Sequence, residues 1–102
     1  MKEIIIERDD IFPDYTKELE ESLDKLRNRF GIKVDFLFLE GLSISYDDSR
    51  WEIDTKRSGS YLAIFKDIKS RVDVLFLTNQ PDGIVLCLSD GTKILTLNKY
   101  KG

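Results

Sequence analysis

The sequence predicts an α+β fold: a mainly antiparallel sheet packed by one long amphipathic helix and a second, shorter helix. The sheet is expected to combine a C-terminal three-stranded meander, a central hairpin and an N-terminal strand. Two observations carry this. Between Val72 and Leu97, the turn signals Gln80-Pro81-Asp82-Gly83 and Asp90-Gly91 separate three short apolar runs, as in an antiparallel meander. Upstream, Tyr15, Leu19, Leu23, Leu26 and Phe30 recur at three- and four-residue steps, which lines one side of a helix.

The elements follow in chain order. Glu3 to Ile6 is a short β-branched run and reads as a strand, broken by Arg8 to Pro13. The helix spans Asp14 to Phe30, with Asp14 the expected N-cap and Asp10 the alternative. Acids crowd its first half, Lys25, Arg27 and Arg29 its second, and Gly31 stands where a left-handed C-terminal residue belongs. Ile32 to Glu40, with Phe36-Leu37-Phe38-Leu39 at its centre, reads as a buried strand. If that helix is a crossover, the first two strands run parallel.

Leu42, Ile44 and Tyr46 alternate with Ser43 and Ser45, and Trp51 and Ile53 with Glu52 and Asp54, around Asp47-Asp48-Ser49. That is the pattern of a half-exposed hairpin. Thr55 to Ser60 reads as a loop. Tyr61, Ile64, Phe65, Ile68 and Val72 have helical spacing, so the second helix is expected from about Ser60 to Arg71, although Leu62, Ile64 and Ile68 also fit a strand. In the meander, Val74 to Leu77 and Ile84 to Leu88 are apolar on both faces, so each side of their sheet requires a cover. Asn98 to Gly102 reads as a frayed tail.

The chain of 102 residues is one domain, 1–102, by size, and it has no internal repeat or proline-rich linker. With 41% hydrophobic residues it has enough apolar surface to fold. The single Cys87 lies in an apolar run and has no disulfide partner, which suits a buried thiol in a reducing compartment. No apolar stretch has the length of a signal or a membrane span, so the cytoplasm is the expected location and no membrane partner is expected.

Sixteen Lys and Arg stand against 19 Asp and Glu, so no overall positive field draws the molecule to phosphate. The charges are nevertheless sorted. Lys2 to Asp24 holds nine acids and three bases, and Asp35 to Asp54 six acids and only Arg50. If these segments share a face, they steer a cationic partner to it.

Histidine is absent, which excludes His-based general acid–base catalysis and His-ligated metals. None of the six glycines falls in a phosphate-loop arrangement. Ser58-Gly59-Ser60 near Lys56 is the best serine-nucleophile arrangement, and it reads as loop punctuation before the second helix. Asp47-Asp48 are adjacent in a turn and point apart, so they make no paired-carboxylate site.

Asp54-Thr55-Lys56 resembles the minimal pattern of restriction-like metal-dependent nucleases. The resemblance covers three residues. It implies that Asp54, with Asp35 or Asp47 as the upstream acid, holds Mg²⁺ while Lys56 polarises water or phosphate. The family's usual Pro-Asp start for the upstream acid is missing, since Pro13-Asp14 opens the helix instead, and solvated strand charges are the preferred reading.

A nucleic-acid-binding module is the other alternative. Lys56, Arg57, Lys66, Lys69 and Arg71 surround Tyr61 and Phe65, a basic region with rings for stacking. The expected helix turns those rings inward, and the acidic net charge argues against nucleic acid.

What remains is Tyr46, Asp47, Asp48, Arg50, Trp51, Glu52 and Asp54, in which aromatics and an arginine sit inside an acidic rim. The expectation is therefore a small acidic protein-binding protein, not an enzyme, with no catalytic residue, cofactor or metal. An immunity or antitoxin-type inhibitor that covers a basic, nuclease-like toxin fits these features. The free form is expected to be a monomer or a weak homodimer. The competing expectation for this segment is that Tyr46 and Trp51 pack inward.

Overall fold

The computed structural model describes residues 1–11, 14–38, 40–54, 61–70 and 73–100, and its strands form two antiparallel sheets. The first contains β1 (Lys2–Ile6), β2 (Ile32–Leu37) and β3 (Gly41–Tyr46) in the order β1-β3-β2. β3 is antiparallel to both neighbours, so β1 and β2 run the same way but are not paired with each other. The strand–helix–strand unit is thus split by a later strand. Its register stacks Ile4, Ile44 and Val34 in one row and Ile6, Leu42 and Phe36 in the next, giving one apolar face.

The second sheet is a five-stranded meander, β4 (Trp51–Asp54), β5 (Tyr61–Asp67), β6 (Val74–Gln80), β7 (Gly83–Leu88) and β8 (Lys93–Asn98). Ala63, Leu77, Leu86 and Leu95 form one buried cross-strand row. Helix α1 (Lys17–Lys25) packs against β8, and the π turn that follows it (Leu26–Phe30) packs against β2. One cluster of buried side chains therefore includes residues of both sheets and of the helix.

The expected fold class requires correction. The structure is mostly sheet, and its helical content, the sole helix among the described residues, is a nine-residue α1 extended by five residues of π turn. The long amphipathic helix is not seen. Thr16, not Asp14 or Asp10, is the N-cap, its hydroxyl accepting from the Leu19 N–H at 3.1 Å, and Tyr15 stays outside the helix at 61% exposure. Gly31 does close the last turn at φ 64°.

The second helix is not seen either, because Tyr61–Asp67 is β5. Ala63, Phe65 and Asp67 point to the core, while Leu62 and Ile64 are half-buried on the other side. With apolar residues on both faces the alternation is hidden, and pairing with β4 and β6 decides the strand. The two ends of the expected helix, Ser60 and Arg71, and the loop Thr55 to Ser60 lie outside the described residues, as do Phe12, Pro13, Leu39, Val72 and the last two residues.

Nor is there a central hairpin. Leu42–Tyr46 belongs to the first sheet and Trp51–Asp54 to the second, since both alternations are genuine but face opposite parts of the shared core. Two smaller expectations also change. Phe38 is 80% exposed just past the end of β2. The C-terminal segment is held, not frayed, through Tyr100: Lys99 bridges to Ile11 and donates its N–H to Asp82, and the Tyr100 N–H donates to the Asp10 carbonyl at 2.7 Å.

Candidate functional site

The acidic–aromatic constellation divides in three. Tyr46 and Trp51 are core residues, 7% and 1% exposed, each set edge-on to Phe65 with ring centroids 5.8 and 6.3 Å away. Arg50 braces them. Its guanidinium donates to the Arg29 carbonyl at 3.0 Å, lies 3.5 Å from the Asp67 carboxylate and stacks 4.9 Å from the Trp51 ring. The Ser70 and Lys69 backbone N–H groups, with Arg50, hold the Asp67 carboxyl below the usual carboxylate range.

Asp47 and Asp48 occupy the turn that passes from one sheet to the other. Asp47 accepts from the Ser49 hydroxyl at 2.6 Å and the Ser49 N–H at 2.9 Å, which lowers its carboxyl pKa. Asp48 lies 4.0 Å from the N-terminal ammonium. Glu52 and Asp54 form the third part. They point outward from β4 and line, with Ile53 and Lys66, a shallow hollow of about 210 Å³.

A larger feature brings together acids that no single segment contains. Glu7 and Asp9, just after β1, and Glu40, just before β3, surround Ile5 and Leu37 in an open groove of about 560 Å³. Its geometry depends on Gly41, which pairs with Leu37 at φ 127°. A Cβ there would lie 1.9 Å from the Ile6 carbonyl oxygen and 2.8 Å from the Arg8 nitrogen, so only glycine lets the chain leaving β1 cross so closely.

Arg8 points away from this groove. Its guanidinium grips Asp10 at 2.9 and 2.7 Å and donates to the Asn79 side chain and to the Gln80 and Gly83 carbonyls at 2.8 to 3.1 Å. That fork ties the segment after β1 to the β6–β7 turn. It raises the Arg8 pKa and holds the Asp10 carboxyl below its ordinary range. The positive charge between Glu7 and Asp9 is thus matched by Asp10, and the groove keeps three exposed carboxylates beside apolar surface. Ile5 is 50% exposed at its floor.

Sequence reading did not identify Glu7, Asp9 and Glu40 as a set. The signal available was the charge sorting, since the two acidic segments contribute Glu7 with Asp9 and Glu40 respectively.

The residues of the alternative readings lie elsewhere. Asp35, on β2, is 3.8 Å from Lys33, and Asp54 is on the other sheet; Thr55 and Lys56 are outside the described residues. Among the described residues no group of three His, Cys, Asp or Glu is placed to hold a metal ion. In the basic region, Lys56, Arg57 and Arg71 are likewise outside, Phe65 is fully buried, and Tyr61 lies against Phe76 at 5.2 Å. No helix among the described residues is long and apolar enough to cross a membrane. No protein-family model, curated protein or solved structure matches the chain.

Proposed function

We propose that this protein works by stoichiometric contact, binding a basic protein partner as an inhibitor of the immunity or antitoxin type. The observation that carries the reading is the groove in which Glu7, Asp9 and Glu40 surround Ile5 and Leu37. Carboxylates beside exposed aliphatic surface match a partner segment that alternates Lys or Arg with apolar residues. Phe38, next to Leu37 and 80% exposed, supplies an aromatic anchor at its side. A nuclease cleft, built to hold phosphate, presents that cationic chemistry, and blocking it requires acids and no reaction.

Asp47, Asp48, Glu52 and Asp54 act in this reading as long-range steering charges, with Tyr46, Arg50 and Trp51 fixing the turn that carries them. A reducing cytoplasm suits the free thiol of Cys87.

The test uses a synthetic peptide alternating Lys with Leu as probe. The triple variant Glu7→Gln, Asp9→Asn, Glu40→Gln is expected to bind it roughly tenfold more weakly at low salt, with a shallower salt dependence and an unchanged melting temperature. Equal affinity in wild type and variant defeats the proposal.

A further inference from the structure

We infer that the outward face of the five-stranded sheet is a docking surface for a second copy of this chain, packed face to face about a two-fold axis parallel to the strands. The surface is separate from the acidic groove, which lies on the other sheet, and the inference stands without it.

The register lays one row across all five strands. Asp54 pairs with Ile64, Ile64 with Phe76, Phe76 with Cys87, and Cys87 with Lys93. Paired residues share a face, and each of these five keeps part of its surface exposed, in contrast to the buried row Ala63, Leu77, Leu86 and Leu95 behind it. The row therefore reads acid, aliphatic, aromatic, thiol, base from one edge of the sheet to the other.

That order selects the partner and its orientation. Rotation by a half-turn about an axis along β6 lays the row on itself reversed, so that Asp54 of each copy lies over Lys93 of the other. Phe76 then meets its own mate at the axis, and Cys87 faces Ile64. An axis across the strands would instead set acid over acid and base over base, a repulsive arrangement. An isologous contact of this kind closes at two copies, and two sheets packed face to face sit about 10 Å apart. A homodimer also covers what the fold leaves exposed of Ile64, Phe76 and Cys87.

Sedimentation equilibrium on the intact chain tests this, across concentrations from about 10 µM to 1 mM, the range for a weak to moderate contact. Wild type is expected to dimerise, and N-ethylmaleimide labelling of Cys87 to slow as dimer forms. Asp54→Lys alone or Lys93→Asp alone is expected to weaken the dimer at least about tenfold, while the double swap restores it. Wild type that stays monomeric throughout overturns the inference. So does a dimer indifferent to both single swaps, or one that the double swap fails to restore.

Discussion

The indole N–H of Trp51 donates a buried hydrogen bond of 2.8 Å to the carbonyl of Phe30, the last residue of the helical segment. One bond thus joins the end of the helix to the first residue of the second sheet. Phe30 and Trp51 are both essentially unexposed, so no water replaces the donor when it is lost. Trp51→Phe should therefore destabilise the fold by about 1–3 kcal/mol, read as a lower urea midpoint. An unchanged midpoint would show that the carbonyl finds another partner.

Two glycines in the left-handed region separate close approach from backbone strain. At Gly41, with φ 127°, a Cβ meets backbone at 1.9 Å, whereas at Gly91, with φ 92°, it meets nothing within 4 Å. Gly91→Ala should cost about 1–2 kcal/mol from conformation alone. Gly41→Ala should cost more, at least about 3 kcal/mol, because the strand crossing must move. Chemical denaturation of the two variants checks the order, and equal losses would remove the steric account of the groove.

The response to pH follows from carboxyls held low. Asp10, Asp47, Asp67 and Asp90 all have pKa values below the ordinary 3.8, chiefly through hydrogen bonds from Arg8, Ser49, Ser70 and Thr92 respectively. A depressed folded pKa gives stability that is present above the unfolded value and lost as pH falls through the folded one. Stability is therefore expected to hold down to about pH 4 and to fall below it. Asp67→Asn should flatten that acid limb, as followed by Trp51 fluorescence in urea at each pH. With no histidine in the chain, a stability step between pH 5.5 and 7 would contradict this assignment.

Phe38 offers a separation of binding from folding. Being 80% exposed, it contributes little buried area, so Phe38→Ser should leave the melting temperature within about 2 °C of wild type, as expected for a surface change. Its affinity for the Lys–Leu peptide should fall several-fold. A large loss of stability with unchanged affinity would make Phe38 a packing residue instead.

What the sequence disclosed follows from the range of the interactions involved. The turns at Pro81-Asp82 and Asp90-Gly91 and the αL closure at Gly31 are local, and they stand where local chemistry puts them. Leu19, Leu26 and Phe30 are buried as their spacing requires. In β5 helical and strand spacing compete, because Leu62 and Ile64 are apolar on the outward side and blur the period-two alternation. The break between Tyr46 and Trp51 was invisible for a different reason: alternation tells which residues face a core but not which sheet they belong to. The groove was hidden in the same way, because Glu7 and Glu40 meet only once β1 and β3 pair.

The most direct measurement is a map of backbone amide shifts in the ¹⁵N-labelled protein as the Lys–Leu peptide is added. The groove account predicts saturable shifts concentrated at Ile5, Glu7, Asp9, Phe38 and Glu40, which vanish in the triple groove variant. Shifts confined to the turn and strand from Asp47 to Asp54, or no saturable shifts at all, would contradict it.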